Sequence, residues 1–268
     1  MFGSLVSRDG VTGRLVRRFR CTAGRLGATG FNLVFPGRCE RCEVELDGID
    51  DGVLLCDDCR LLLGPKAWPG CPRCGAADGT NADPDFGCDV CRGKRYWFDR
   101  VTPLGGYHQG LRDVVLQMKH AAHDSLSRAM GRLLALRRRG PLTDLRLDLI
   151  VPIPMYWSRR VTRGTNSPEI LATAIGQSLG VRVDSRVLSR CRNTLLHNEL
   201  SQQMRFRNVR GAFRLSPGRL EKGSRILLVD DVLTTGATCS EAASVLKKAG
   251  AEMVAVAVIA RTEGRQAT

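Results

Sequence analysis

Eight of the 11 cysteines fall in four Cys-x-x-Cys pairs: Cys39/Cys42, Cys56/Cys59, Cys71/Cys74 and Cys88/Cys91. Within each half, 13 residues separate the pairs, and every cysteine of the first half recurs 32 positions later, so the segment is a duplication. A Cys-x-x-Cys turn points two thiolates at one spot, where successive backbone amides can also donate to the sulfurs. Two such turns complete a tetrahedral four-thiolate site. The expected occupant is Zn²⁺, structural and two ions per chain, since four thiolates leave no open coordination position. Disulfides fit poorly in a reducing compartment, four pairs are too many for one redox motif, and an iron-sulfur cluster is the remaining alternative. The repeat favours sequential pairing (39, 42, 56, 59 and 71, 74, 88, 91) and leaves a crossed arrangement open. With few aliphatic residues in this stretch, metal is expected to hold it together.

Charge separates three segments. Residues 1–38 carry seven Arg against one Asp and have no continuous apolar run of the kind a secretory leader needs. Residues 39–100 carry 8 Lys/Arg against 13 Asp/Glu, and residues 101–268 carry 26 against 13, within a formal net charge of +14. Each zinc held by four thiolates adds further negative charge, so phosphate binding by the cysteine module would be opposed by its own field, and a protein-contact or scaffold role suits it better. The basic density lies between residues 186 and 225, where ten Lys/Arg meet two Glu. No apolar run approaches the roughly 20 residues of a membrane span; the longest, residues 253–260, has eight and reads as a buried strand. A cytoplasmic protein with no membrane span is expected.

From residue 101 the pattern is α/β. Leu111, Val114, Val115 and Met118 keep helical spacing, and a second helix is predicted over 125–139, closed by Gly140-Pro141. Strands are expected at 147–151, 181–188, 225–229 and 253–260, with helices over 168–179 and up to residue 248. Alternation of this kind implies a mainly parallel sheet flanked by helices. The division expected is therefore 1–38, a basic segment with no assigned structure and open to partial disorder; 39–100, the double Cys-x-x-Cys module; and 101–268, the α/β domain.

Residues 226–238 carry the clearest chemistry. An apolar strand delivers Asp230 and Asp231 to the carboxyl edge of the sheet, where open α/β folds bind ligands. The turn of Thr234, Thr235, Gly236, Ala237 and Thr238 then leads into a helix, gathering backbone N–H groups, hydroxyls and the positive helix end around one anion. Two carboxylates beside a phosphate cradle suit a sugar phosphate, the acids accepting from ribose hydroxyls. His120, His123 and His197 with Glu199 are weaker candidates as bases. Cys191 and Cys239 are expected to pack as small apolar groups, and Tyr96-Trp97-Phe98 to plug the junction between the two modules.

This stretch resembles the phosphoribosyl pyrophosphate (PRPP) motif of type I phosphoribosyltransferases: an apolar strand, two acids, then Thr-Thr-Gly-x-Thr. The resemblance implies that Asp230 and Asp231 contact the ribose hydroxyls, that residues 234–238 wrap the 5'-phosphate, and that Pro152-Ile153-Pro154 is the pyrophosphate loop. With the cysteine module in front, the chain from about Phe35 onward resembles the ComF/GntX family, phosphoribosyltransferase-like proteins with an N-terminal zinc ribbon associated with DNA uptake in natural competence. The anchors are Pro36 with Cys39 and Cys42, Tyr107 with Leu111-Arg112, Met118-Lys119, Val151 to Pro154, Arg163-Gly164 with Asn166, and Arg207-Asn208 with Ala212-Phe213. Two departures stand out: Thr165 and Ser167 where the family tends to have Phe and Gln, and His197 where a Gln is common. The resemblance implies PRPP as ligand and Mg²⁺ with it. It also implies phosphoribosyl transfer to an unidentified acceptor, with Arg205 and Arg207 on a closing basic loop as diphosphate contacts. The alternative is a factor handling single-stranded DNA, with PRPP as regulator or unused.

Overall fold

A computed structural model of the chain describes residues 37–46, 51–77, 87–194 and 201–262. The basic segment to residue 36, with Cys21, and the residues around His197 and Glu199 lie outside the described residues. The run read as a buried strand becomes β6 (Met253–Arg261), every residue of which is enclosed. It lies between β1 (Arg100–Gly106) and β5 (Arg225–Leu233), and β2 (Leu149–Pro152) completes the order β1-β6-β5-β2. All three pairings are parallel. A parallel sheet is stable only with both faces covered, which is why its strands read as continuous apolar runs.

Alternation along the strands splits the core in two. Leu227, Val229, Ala255, Ala257 and Ile259 face α2 (Gln109–Gln117), α3 (Asp124–Arg137) and α6 (Ser167–Leu179). Ile226, Leu228, Val254, Val256 and Val258 face α8 (Ala237–Lys248) and a small antiparallel pair, β3 (Leu188–Arg190) with β4 (Phe213–Leu215). Shorter helices are α1 (Asp57–Leu63), α4 (Arg139–Asp144), α5 (Trp157–Arg163) and α7 (Gln202–Val209). None of the described helices is long and apolar enough to cross a membrane.

Several expectations need correction. Strand β1 is not predicted because Pro103, Gly105 and Gly106 disfavour strand; as an edge strand with β6 as its one strand neighbour it tolerates the proline. Of the strand expected over 181–188 there remain the bridge of Val183 to Ile150 and Leu188, which opens β3, because the Asp184 carboxylate accepts the Arg186 N–H at 2.9 Å and turns the chain. Gly140-Pro141 does not end the helical region: α3 stops at Arg137, and Pro141 sits in the first turn of α4, where no N–H is required. β5 runs through Asp230 and Asp231 to Leu233, because β6 pairs with it as far as Arg261.

The two halves of the cysteine module are held differently. The first sinks Cys39, Val53, Leu55, Cys59 and Leu63 into the same core as Leu104 and Leu133, so burial and metal act on it together. The second has a small core of its own, Cys71, Cys74, Ala76, Cys88 and Cys91.

Candidate functional site

β2 stops pairing with β5 at Pro152 opposite Val229, so the chain diverges just where the acids begin. The Ile153 N–H still donates to Val229 O at 2.8 Å, which sets the Pro152-Ile153-Pro154 turn beside Asp230 at the carboxyl edge. Ile153 is buried and Pro154 half-buried. Each acid takes a local backbone bond: Asp230 Oδ1 accepts from Asp231 N at 2.9 Å, and Asp231 Oδ1 from Val232 N at 2.7 Å. Burial first, then the charge of Asp231, push the Asp230 carboxyl well above the usual carboxylate range, while the Arg190 guanidinium pulls the other way.

Downstream, Gly236 caps α8 with φ 81°, a left-handed conformation that costs a side chain. A Cβ there would also lie 3.1 Å from the Tyr96 ring and 3.3 Å from that of Phe98. The Gly236 cap offers no side-chain acceptor; Ala237 N donates to Thr235 Oγ1 at 3.4 Å, and the macrodipole favours an anion at this helix start. Thr234, Thr235 and Thr238 are half-buried around it. The structure therefore brings the acids, the loop of residues 234–238 and the proline turn to one end of the sheet.

The cysteines form two clusters paired in sequence order, Cys39, Cys42, Cys56, Cys59 and Cys71, Cys74, Cys88, Cys91, with the sulfurs of each within 4.8 Å of one another. Four sulfurs about 2.3 Å from one tetrahedral Zn²⁺ stand about 3.8 Å apart. The separations 3.6 Å (Cys42 to Cys56), 3.9 Å (Cys71 to Cys91) and 3.6 Å (Cys74 to Cys88) match that geometry and are far too long for disulfides. The donor set thus fits a tetrahedral thiophilic ion. Burial pushes the Cys39 thiol up, but backbone N–H donors from Cys56, Cys42 and Arg41 outweigh it and bring it down to about 6. Cys71, its counterpart 32 residues on, is lowered in the same way, against burial, by the amides of Cys74, Arg73 and Cys88.

Comparison with known proteins gives the family. The phosphoribosyl transferase domain model matches residues 171–267, which include the acids, the loop and α8 but not the proline turn. The DNA utilization protein YhgH of Salmonella typhimurium is 32% identical over 235 residues, 86% of this chain and 99% of that protein. The chain belongs to the family of YhgH and competence protein F. Competence protein F of Haemophilus influenzae is 29% identical over 231 residues, 85% of this chain and 98% of its own. Among solved structures, the PRPP amidotransferase of B. subtilis aligns with 54% of this chain and 30% of its own at 18% identity and a TM-score of 0.38.

Other residues of the chain fall differently from expectation. Arg205 and Arg207 lie on α7, a regular helix packed against α8, with Arg205 half-buried and Arg207 exposed. Much of the basic segment is occupied: Arg192 donates to Asn208 O and Arg210 O, Arg219 pairs with Asp184, and Arg225 with Glu252. The Arg163 to Ser167 motif acts as a clasp, Thr165 Oγ1 donating to Asp124 at 2.5 Å and Ser167 Oγ to Met118 O at 2.6 Å. Tyr96 and Phe98 stack at 4.7 Å and do plug the junction, whereas Trp97 is half exposed beneath Lys248. Cys239 is buried with its sulfur 4.0 Å from Asp230 Oδ2, but Cys191 is exposed and does not pack. Arg190, close enough for its charge to act on Asp230, and Arg261, buried under the loop, carry no motif and were not legible as site residues.

Proposed function

We propose that this chain binds PRPP with Mg²⁺ at the carboxyl edge of the sheet and transfers its phosphoribosyl group to a nucleophile. One observation carries the reading: the paired carboxylates near the end of β5 lie beside the glycine-started N-terminus of α8, within the segment that matches the phosphoribosyl transferase domain. In that role Asp230 and Asp231 accept from the ribose hydroxyls, residues 234–238 enclose the 5'-phosphate, and Pro152-Ile153-Pro154 borders the diphosphate. Arg190 is a candidate diphosphate contact alongside Arg205 and Arg207. Transfer breaks the bond from ribose C1 to the diphosphate oxygen, which leaves with the electron pair, as the nucleophile bonds to C1. Mg²⁺, a hard cation bound through ligand oxygens and water, supplies charge neutralisation of the leaving diphosphate. Zinc in both cysteine clusters is structural in this reading.

A second reading, handling of single-stranded DNA, draws on the names of the relatives and on one surface feature. A hollow of about 320 Å³ is lined by Lys94, Arg95, Gln203 and Phe206, near exposed Trp97 with its Lys248. Cations interleaved with aromatic faces suit stacked bases and phosphates. The acidic module offers a different surface, α1 with Asp57 and Asp58 beside exposed Leu61 and Leu62, suited to a protein partner.

Calorimetric titration of the zinc-loaded protein with PRPP and Mg²⁺ tests the first reading. The double variant Asp230→Asn with Asp231→Asn is expected to lose PRPP affinity by at least about a hundredfold, the worth of two charge-assisted hydrogen bonds. It is expected to leave intact a salt-dependent titration with single-stranded DNA. Equal loss of both ligands would reject the separation of sites, and absence of PRPP binding in the parent protein would leave the DNA reading in first place.

A further inference from the structure

Among the described residues, the second cysteine cluster is joined to the phosphate loop and the first is not. Arg261, the last residue of β6, is only 4% exposed. Its Nε donates to Cys74 O at 2.8 Å, and its Nη1 donates to Leu233 O at 3.1 Å, to Thr234 O at 2.5 Å and to Thr262 O. One guanidinium therefore clamps the backbone of a metal ligand to the backbone that opens the loop. Two more links run from the chain just after Cys91. The Tyr96 and Phe98 rings fill the space beside Gly236 that a Cβ would need, and Trp97 N donates to Ser240 Oγ, in the first turn of α8, at 3.1 Å. The first half binds elsewhere: Glu40 accepts from Ser125 Oγ at 2.5 Å and Gly52 O from Arg132 at 2.5 Å, both on α3.

We infer that metal in the Cys71, Cys74, Cys88, Cys91 cluster, acting through Arg261 as a positioning residue, sets the conformation of the phosphate loop, and that metal in the first cluster does not. The knuckle is closed by Cys71 N to Ala76 O at 2.9 Å and Gly75 N to Cys71 O at 2.7 Å, a short turn whose register depends on its sulfurs being held. Released from metal, Cys74 O leaves its place, and a buried guanidinium deprived of an acceptor must find another. The acceptors left to it are Leu233 O, Thr234 O and Thr262 O, two of them on the chain that opens the loop. That the loop's ligand is PRPP rests on the proposed function; that loop order follows the second metal does not.

The test uses the full zinc-loaded chain and three readouts: zinc per chain by mass spectrometry, amide hydrogen exchange across residues 234–240, and PRPP affinity with Mg²⁺. Cys88→Ser and Cys56→Ser break equivalent ligands of the two sites, and each should leave one zinc per chain. Cys88→Ser is expected to speed exchange of the loop about tenfold or more and to weaken PRPP to a similar degree, and Cys56→Ser to stay within about twofold of the parent. Arg261→Lys keeps both metals and the charge but loses the fork, and it should reproduce the faster loop exchange. Arg138→Lys, at a buried arginine that binds Pro65 O, Lys66 O, Pro103 O and Leu104 O away from the loop, should not. Unchanged loop exchange in Cys88→Ser, or equal effects of Cys56→Ser and Cys88→Ser, overturns the inference. Should Cys88→Ser also lose protection in β6, Arg261→Lys decides, and unchanged loop exchange there overturns it. A parent protein that ignores PRPP refutes the ligand reading alone, since the exchange comparison needs no PRPP.

Discussion

At Asp230 the chain carries a half-buried carboxylic acid beside a second one, Asp231. Because burial, and then Asp231, raise its native pKa above the value of 3.8 for a free side chain, the folded state holds this proton more tightly than the unfolded one. The stability this contributes is complete below about pH 4 and is lost as pH rises through the native pKa. Asp230→Asn removes the penalty of a buried charge at neutral pH. In the ligand-free protein it should raise stability at pH 7, read as a higher Tm than the parent's. Thermal unfolding of parent and variant at several pH values checks this, and taking their difference cancels the acid loss of thiolate-bound metal common to both. A variant less stable than the parent at pH 7 would contradict it. Asp230 and the threonines around Gly236 were legible because their chemistry and spacing are contiguous in sequence. Arg190 and Arg261 were not, since each reaches the site from another strand through a side chain that looks like any surface arginine. Arg138 illustrates the same point: burial, then the charge of Arg137, brings it down to about 10, yet it remains a cation bound by carbonyls from two other segments.

Among the elements, the crossing of α3 and α6 shows how closely the layers are packed. At Gly131 a Cβ would lie 2.8 Å from Ala174 Cβ and 2.9 Å from Leu171 O, both on α6 and neither able to swing aside. Gly131→Ala gains about 1 kcal/mol in helix propensity, but overpacking against backbone should cost about 1–3 kcal/mol. A net fall in the urea midpoint is expected, and a rise would mean that the helices can separate freely. Helix α6 was readable from its apolar spacing, with Pro168 in its first turn and Gly180, at φ 71°, ending it. Helix α5 and strand β1 were not. Trp157 and Val161 of α5 are exposed, so it has no apolar face toward the core to announce it. β1 contains residues that strand propensity rejects, and only its place at the edge of the sheet makes them acceptable.

Across the whole molecule the two four-thiolate clusters are buried differently, the first within the main core and the second in a small core of its own. Metal analysis of protein purified without chelators is expected to return two zinc ions per chain, one for each cluster of four thiolates. A strong chelator should lower Tm, and acidification should release metal because protons compete for the thiolates. One ion or none per chain, or a Tm indifferent to chelation, would contradict the expectation. Residue types and spacing alone were enough for the duplicated metal module, the parallel α/β sheet and the acid-and-threonine loop, because each depends on neighbours within a few positions. Folding was needed to choose sequential over crossed cysteine pairing, to sink the first cluster into the main core, and to join the second to the loop of residues 234–238 through Arg261. Those outcomes depend on which segments, tens to nearly two hundred residues apart, find complementary shape and charge in the packed chain, as Cys74 and Arg261 do across 187 positions.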